Sequence, residues 1–524
     1  MRKSLLFLLA AAALAQDQAD YRPGARLVLV DVLVRNSKGP VGGLTKTDFE
    51  LQDGGKTAAI SFFRAIDGNA PAVKLADWMP GTASNRAGSN GEPSRLVTAV
   101  LFDRNNLSAS EQAQVSRQIL ELLHTLKQTD RVAFYSVGED LALVHDYSDD
   151  PLRLAKVSDH ILGGQAAAQA GPDQLLQSSL EKALAPTQVA PSSQVRVGIM
   201  TRALQSVARH LSGLPGRKNL IWIASDFPLT FGNDPERRHD DEIEVSRATR
   251  ILRDAAISVY AVDPPGASLP INQPVAAGEG QVMRARNGGG NSAATSTAAA
   301  SYQGFQVLRM IAEDTGGRAI YTTNQVTREM RNILDETIVS YTLGFYPDEK
   351  KLNEATHDLN VKVAKKPETS GAKLSYRKSF FATKLLSPPH QVERTNMNQL
   401  ATDPLEATDI GLKVIAYPAP ATPTGLNVDV TVDIHDLQVQ HLADHWVGAF
   451  DLGFALEGTP SASSPVVSAI NLNLTEDQMK VALTSGLVVA NTFAAPAQPG
   501  RLRVIVLDQN SGAAGSVKLS VKPR

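Results

Sequence analysis

The sequence predicts a multidomain protein in which a central, doubly wound α/β domain lies between all-β sandwich domains. Three apolar runs carry this prediction: Leu96–Asp103 (LVTAVLFD), Leu220–Asp226 (LIWIASD) and Ile257–Asp263 (ISVYAVD). Each run is short and ends in an aspartate, and segments with helical periodicity separate them. Runs of this kind are typical of parallel strands that are buried on both faces.

The aspartates that end these runs are expected to lie together. Parallel strands share one direction, so Asp103, Asp226 and Asp263 should follow the carboxyl ends of the strands, where open α/β sheets bind their ligands. The sequence therefore predicts where this protein binds a partner, although it does not identify the partner.

Helices and further strands of the α/β domain follow from local signals. Ser108 can cap a helix with Glu111 in the third helical position, and the apolar spacing of that helix runs to Leu126. The strand Arg131–Val137 comes next, and Leu141–Tyr147 is expected to pair with it as an antiparallel edge strand. Further helices are expected at about 151–161, 174–184, 195–211, 240–256, 305–314 and 326–336.

Alternating strands and Gly, Pro and Asp turns predict the other domains. The expected boundaries, in chain order, are a small β-sandwich over 21–66, a linker over 67–93, the α/β domain with a β appendage over 94–381, a linker over 382–409 and a β-sandwich over 410–524. Within the α/β domain, residues 264–300 contain the low-complexity stretch GGGNSAATSTAAA and are expected to form a flexible insertion.

Length and composition exclude several classes of function. A chain of 524 residues is too long for one hydrophobic core. The formal net charge is −2, from 52 basic and 54 acidic residues, so no basic surface argues for a nucleic-acid partner. The absence of cysteine excludes disulfides, thiolate metal sites and cysteine nucleophiles.

The N-terminal residues have the layout of a secretory signal peptide. Arg2 and Lys3 precede the apolar run Leu5–Leu14, and Ala15 closes a small-x-small cleavage site. We therefore expect residues 1–15 to be removed and the protein to be periplasmic, on the cell surface or secreted. A membrane anchor is the alternative, but no stop-transfer pattern follows, and no integral membrane segment is expected after the signal is removed.

A parallel sheet with one antiparallel edge strand and aspartates at the strand ends resembles the von Willebrand factor A domain. The resemblance implies a divalent cation, Mg²⁺ or else Mn²⁺ or Ca²⁺, held by oxygen ligands at the carboxyl edge. The positions that match are Asp103 and Asn105 in the first loop and Asp226 in a later one. Leu107 stands where the family has an oxygen ligand, so the implied metal site is degenerate. Alternatively, Asp103 and Asp226 cap helices or bind loop N–H groups.

A more extensive resemblance is to the VWFA-related proteins found largely in acidobacteria, and it covers nearly the full mature chain. The similar segments are GLTKTDFELQDGGKTAAISFF (43–63), the Asp103-x-x-Asn106 loop, GRKNLIWIASDFP (216–228), YTLGFYPDEK (341–350) and RLRVIVLDQNSGAAGSVKLSV (501–521). The resemblance implies that Asp-x-x-Asn replaces the full metal motif. It also implies an exported protein that binds other proteins.

The sequence carries few signals for catalysis. It contains no GxSxG motif, no HExxH motif and no complete phosphate-binding loop. The run His239–Glu242 is acidic but favours a solvated helix start over an acid–base site. We therefore expect a protein that is not an enzyme.

The first hypothesis is an adhesion or scaffold protein that binds a protein or a surface glycan. The side chains predicted to contact the partner follow the buried strands: Asp103, Asn105, Asn106, Asp226 and Asp263. The alternatives are a secreted metal-dependent hydrolase that uses the same edge and a purely structural component of the cell envelope.

Overall fold

The computed structural model describes residues 27–67, 81–86, 96–164, 171–187, 191–214, 216–225, 235–264, 305–320, 325–336, 338–348, 355–382, 397–419, 425–457, 465–494 and 499–521. The predicted signal peptide, Asp226 and nearly all of the predicted insertion 264–300 lie outside these ranges. Over the ranges given, no helix has both the length and the apolar content needed to cross a membrane.

The strands and helices are numbered in chain order. The strands are β1 (Val28–Asn36), β2 (Gly39–Pro40), β3 (Phe49–Asp53), β4 (Lys56–Ala58), β5 (Phe62–Asp67), β6 (Thr82–Ser84), β7 (Val97–Asp103), β8 (Val132–Val137), β9 (Leu141–His145), β10 (Lys218–Ile223), β11 (Ile257–Val262), β12 (Arg318–Ile320), β13 (Val339–Phe345), β14 (Thr356–Val363), β15 (Lys373–Ser375), β16 (Ser379–Phe381), β17 (Leu412–Pro418), β18 (Gly425–Val432), β19 (Gln440–Leu442), β20 (His445–Glu457), β21 (Val466–Thr475), β22 (Leu487–Ala494), β23 (Gly500–Asp508) and β24 (Ala514–Val521). The helices are α1 (Ala109–His124), α2 (Pro151–Leu162), α3 (Pro172–Leu184), α4 (Ser193–Ser212), α5 (Pro235–Asp254), α6 (305–314), α7 (Val326–Glu336), α8 (Met397–Thr402) and α9 (Glu476–Ser485).

The central domain is built on one six-stranded sheet of described strands, in the order β12-β11-β10-β7-β8-β9. The strands β7, β10 and β11 are parallel neighbours, and β9 pairs antiparallel with β8. The prediction of a helix-covered parallel sheet with one antiparallel edge strand is therefore confirmed. Strand β10, which corresponds to the second of the three predicted runs, ends at Ile223, three residues before Asp226.

Helices cover both faces of this sheet because both faces are apolar. Leu101 and Trp222 belong to the core on one face, whereas Phe102 and Ile221 belong to the core on the other. Successive side chains of a strand point to opposite faces of the sheet. An apolar run must therefore be covered on both faces. Ser108 caps α1 as predicted, in a reciprocal capping box with Glu111.

The first β-sandwich differs from the sequence-based expectation. Strand β1 pairs with β13 in the register Val30↔Leu343, and β3 pairs with β14 in the register Leu51↔Val361. The strands of 21–66 and those predicted as an appendage to the α/β domain thus form two sheets around one shared core. The physical reason is that a few short strands cannot enclose a hydrophobic core by themselves. The alternation of apolar and polar residues shows which face of a strand is buried, but it does not show which other strand pairs with it.

The predicted linkers are also partly folded. Strand β6, from the expected linker 67–93, pairs with β17 in the second sandwich, in the register Ala83↔Val414. Asn85 holds this pairing, because its Nδ2 donates to the carbonyls of Ala407 and Ile410 at 2.7 and 2.8 Å. Residues 397–409 of the other expected linker contain α8 and pack against the second sandwich. A three-residue strand is too short for its alternation to be recognised in a sequence.

The second sandwich joins the described sheets β22-β18-β17-β6 and β19-β20-β23-β24, and β21 pairs with β20. Their inner faces enclose an apolar core that includes Val430, Phe450 and Val504. Alternating inward and outward residues are expected where two antiparallel sheets pack face to face.

The described contacts of both sandwiches with the central domain lie at the amino ends of the parallel strands. Arg253, at the end of α5, donates to Ser379 of the first sandwich at 3.1 Å. At the end of α4, the Arg209 carbonyl accepts from the Thr408 amide at 2.9 Å, and the Gly213 carbonyl accepts from Arg86 at 2.7 Å. Helices that follow parallel strands end beside the strand starts, so these contacts place the sandwiches opposite the carboxyl edge.

Candidate functional site

Asp103 ends strand β7 at the carboxyl edge, and its side chain is fully buried. Its Oδ2 accepts hydrogen bonds from Asn106 Nδ2 at 2.6 Å and from Trp222 Nε1 at 3.2 Å. Residues 104–106 form a single 3-10 turn, which brings Asn106 back over the end of the strand. Through these two hydrogen bonds Asp103 holds its loop to the neighbouring strand β10.

Asn106 connects three elements of the central domain. Its Oδ1 accepts from Arg196 Nη1 at 2.8 Å, and its carbonyl accepts from the Ser225 amide at 3.1 Å. The same Arg196 nitrogen donates to the Asn105 carbonyl at 3.2 Å. The loop after β7, the first turns of α4 and the segment after β10 are therefore tied together through one residue, by its amide side chain and its backbone carbonyl.

Sequence reasoning missed Arg196 as a member of this site. The signal that could have identified it is its position, since a basic side chain near a helix start opposes the helix dipole and calls for a separate explanation. The explanation here is its pair of hydrogen bonds to the loop 105–106.

Asn105 faces the end of the neighbouring strand β8. Its Nδ2 donates to the Gly138 carbonyl at 2.6 Å, and the side chain is 4% exposed. Its Oδ1 is buried and has no hydrogen-bond partner among the described residues. Because this oxygen is buried, it is not exposed to a partner at the surface.

Glu111 extends the network from the helix that follows. One carboxylate oxygen accepts from the Ser108 amide at 2.6 Å, and the other accepts from Ser225 Oγ at 2.9 Å. The predicted capping box thus has a second role, because the same glutamate fixes the segment that follows β10.

Arg104 follows Asp103 in the chain, and its guanidinium makes hydrogen bonds to the end of α3. Its Nη1 donates to the Ala185 carbonyl at 3.1 Å and to the Lys182 carbonyl at 3.5 Å, at the carboxyl end of α3. A guanidinium at this position interacts favourably with the helix dipole. Burial lowers the pKa of Arg104, and the nearby Glu139 partly opposes that effect.

Asp263 lies at the same edge but apart from Asp103. It follows β11, and β10 separates β11 from β7. With neighbouring strands nearly 5 Å apart, the two carboxylates are separated by roughly 10 Å along the sheet. The structure therefore brings Asp103, Asn105 and Asn106 together and places Asp263 at a distance, while Asp226 lies outside the described residues.

The next question is whether these side chains form a site for the predicted divalent cation. Within the described ranges, no group of three or more His, Asp or Glu residues is arranged to hold a metal ion. The Asp103 oxygen Oδ2 already accepts two N–H groups, and the Arg196 guanidinium brings a positive charge to the same network. These residues do not fit Mg²⁺ by themselves, and the metal set that includes Asp226 stays a prediction.

Comparison with known proteins adds structural neighbours at low similarity. No family model matches the chain, and no curated protein matches it. An aerotolerance-related membrane protein from Bacteroides fragilis is 11% identical over 46% of this chain and 98% of its own, with a TM-score of 0.24. BatB from Bacteroides thetaiotaomicron is 13% identical over 45% of this chain and 97% of its own, with a TM-score of 0.23.

A von Willebrand factor type A protein from Catenulispora acidiphila is 9% identical over 94% of this chain and 76% of its own, with a TM-score of 0.26. These neighbours include the type of domain that the sequence resembles, whereas the acidobacterial type stays a prediction. The fold is shown by the strand order of this chain itself.

Proposed function

We propose that this chain is a non-enzymatic partner-binding or scaffold protein that acts outside the cytoplasm and contacts its partner through the carboxyl edge of the central sheet. One observation carries the proposal: the described sandwich contacts lie at the opposite, amino end of the sheet. Thr408 meets Arg209 there, and Arg86 meets Gly213. Both sandwiches contact the central domain at this amino end, and the polar carboxyl edge lies at the opposite end of the sheet.

The chemistry of this edge suits a polar macromolecular surface. Glu139, Asp140 and Lys182 are exposed and form a rim of mixed charge around the buried network of Asp103 and Asn106. The rims of protein–protein interfaces are polar and accessible to solvent. Because the network already holds its loops in place, binding would require little additional ordering of the edge.

The binding mode that we propose uses no metal ion. The Arg196 guanidinium supplies a positive charge at the network, and the exposed carboxylates of Glu139 and Asp140 on the rim supply acceptors. A protein partner fits this mixture better than a uniformly charged polymer, since both signs of charge lie within one rim.

The proposal is tested with a photo-crosslinking amino acid in the full-length protein, expressed in its own host. One variant carries it at Asp140 on the rim, and a control carries it at Lys373, which is exposed on the first sandwich. We expect an adduct of defined mass from Asp140 alone, and we expect Arg196→Gln to abolish it. The same adduct from both positions, or an adduct that survives Arg196→Gln, would show that the edge does not select the partner. Absence of any adduct would favour a purely structural role.

A further inference from the structure

The second sandwich has two long edge strands that contain no charged residue. Strand β21 (VVSAINLNLT) and strand β22 (LVVANTFA) contain no Lys, Arg, Asp, Glu or Pro. Each pairs on one side only among the described strands, β21 with β20 and β22 with β18. Val466 and Val488 are 65% and 63% exposed. Edge strands of monomeric proteins are usually protected by charges, proline or a covering segment, because unpaired backbone groups attract other strands.

The opposite edge of the same sandwich is protected in this way. Strand β24 carries Lys518, and the segment before β17 covers its outer side. The Ile410 amide donates to the Ala514 carbonyl at 3.1 Å, and the Ser516 amide donates to the Ala407 carbonyl at 2.8 Å. Among the residues that the structure describes, the backbone groups of one long edge are therefore bonded by a covering segment, and those of the other edge are not.

The two uncharged strands lie on the same side of the sandwich. Helix α9 leads directly from β21 to β22. The rings of Phe454 on β20 and Phe493 on β22 are 4.5 Å apart, so β22 lies over the strand that neighbours β21. We call β21 and β22 together the open edge.

We propose that the open edge is a self-association surface, at which β21 pairs antiparallel with β21 of a second copy of this chain to form one continuous sheet. Identical strands related by a two-fold axis make an isologous interface, in which each residue meets its symmetry equivalent. Backbone hydrogen bonds supply the attraction, as in other interfaces formed by strand addition.

The sequence of β21 is self-complementary in such a pair. Ile470, Leu472 and Leu474 alternate with the exposed Asn471 and Asn473. In a register that sets Leu472 opposite its own copy, Ile470 meets Leu474 on the inner face and Asn471 meets Asn473 on the outer face. Opposed residues of an antiparallel pair share a face, so this register keeps apolar side chains together and amides together.

The absence of charge selects a second copy over an ionic partner. A charged residue on the two-fold axis would lie opposite its own copy, and like charges directly opposite one another destabilise a strand pair. Strand β21 has no such charge, so an identical strand meets no electrostatic opposition.

The first test is the mass of the full chain in solution, measured by light scattering and sedimentation equilibrium. We expect a dimer, and we expect Asn471→Lys/Asn473→Lys to halve the mass while the melting temperature stays unchanged. The control Ser520→Lys, exposed on the covered edge strand β24, should remain dimeric. A monomeric parent protein, or a dimer that persists in the double lysine variant, would overturn the proposal.

The second test locates the two-fold axis. The chain contains no cysteine, so single cysteines can be placed one at a time from Ala469 to Asn473, with Ser520→Cys as the control. Mild oxidation should give a disulfide-linked dimer that peaks at one position of β21, the residue that opposes its own copy. Equal crosslinking at every position and at the control would indicate random collision and contradict a defined strand pair.

Discussion

Asn106 Nδ2 donates to Asp103 Oδ2 at 2.6 Å, three residues back along the chain. The same amide accepts from Arg196 Nη1 through its oxygen. Both functional groups of Asn106 are therefore used, one on a carboxylate and the other on a guanidinium. The Asp-x-x-Asn motif acts in this chain as a brace that orders the carboxyl edge.

This brace predicts energetic coupling between Asn106 and Arg196. Asn106→Ala should lower the free energy of unfolding by about 1–3 kcal/mol, because it leaves buried polar groups without partners. Arg196→Gln should be destabilising in the native background but have less effect once Asn106 is absent. Urea unfolding of the two single variants and the double variant measures this coupling, expected at about 0.5–3 kcal/mol.

Asn398→Ala is the matched control for that cycle, since Asn398 is exposed on α8. Exposed substitutions usually change stability by less than about 0.5 kcal/mol. Strict additivity of Asn106→Ala and Arg196→Gln would mean that the hydrogen bond between them contributes nothing to the edge.

The second prediction concerns divalent cations. We expect calorimetric titration of Mg²⁺ or Mn²⁺ into the purified protein to give no saturable heat, because the Asp103 Oδ2 already accepts from Asn106 and Trp222. Asp103→Asn is a suitable comparison, since it keeps the shape and one acceptor oxygen. Saturable binding that disappears in Asp103→Asn would replace our metal-free mode with the cation-dependent one.

The third prediction concerns His210, which joins the central domain to the second sandwich. Its Nε2 lies 3.1 Å from Asp146 Oδ2, and its Nδ1 lies 2.9 Å from the Glu406 carbonyl oxygen. Both ring nitrogens thus face acceptors, which favours the protonated imidazolium. Burial alone would lower the pKa of His210, but the Asp146 carboxylate and the Glu406 carbonyl outweigh burial and raise it.

The sign of the pH dependence follows from this raised pKa. A cation whose pKa is higher in the folded state contributes its full stabilisation below the unfolded value of about 6.5, and loses it as the pH rises through the folded value. Urea midpoints should therefore decrease as the pH rises above about 6.5, and His210→Gln should flatten that slope. His441→Gln, at an exposed histidine, should keep it. An unchanged slope in His210→Gln would contradict the imidazolium assignment.

The fourth prediction compares Gly198, which lies inside α4, with Gly213, which caps the C-terminal end of that helix. A Cβ atom on Gly213 would clash with the Thr408 carbonyl oxygen and lie 2.7 Å from Arg86 Nη1, at the contact with the second sandwich. A Cβ on Gly198 would lie 3.6 Å from Arg202, which is ordinary contact. Overpacking of this kind typically destabilises by about 1–3 kcal/mol.

Gly213→Ala should therefore lower the free energy of unfolding, whereas Gly198→Ala should raise it by up to about 1 kcal/mol, because alanine favours a helix interior. Urea denaturation of the two variants provides the measurement. Equal effects would show that the contact between Gly213 and Thr408 adapts without strain.

Local patterns in the sequence predicted the central domain well. The apolar runs at β7, β10 and β11 define strands buried on both faces, and such strands require helices on each side. The capping signal at Ser108 located the start of α1 for the same reason, since a helix start needs acceptors for its free N–H groups. These features depend on residues close together along the chain.

The site was predictable only in part. Asp103, Asn105 and Asn106 follow a strand end and could be named from that position. Arg196 lies at an unusual position near a helix start, but its pairing with Asn106 could not be predicted, because that hydrogen bond spans 90 positions and depends on how α4 lies against the sheet. Distances of that kind are set by packing, which periodicity does not encode.

The sequence by itself determined the longer strands and helices, and which of their faces are apolar. Only the tertiary structure decided the partners: Asp31 on β1 pairs with Thr342 on β13, 311 positions away, and Ala83 of an expected linker pairs with Val414. The physical reason is that a strand's backbone groups are the same in every strand. Alternation selects the buried face, and the choice among equivalent edges depends on the shape and burial of the whole molecule.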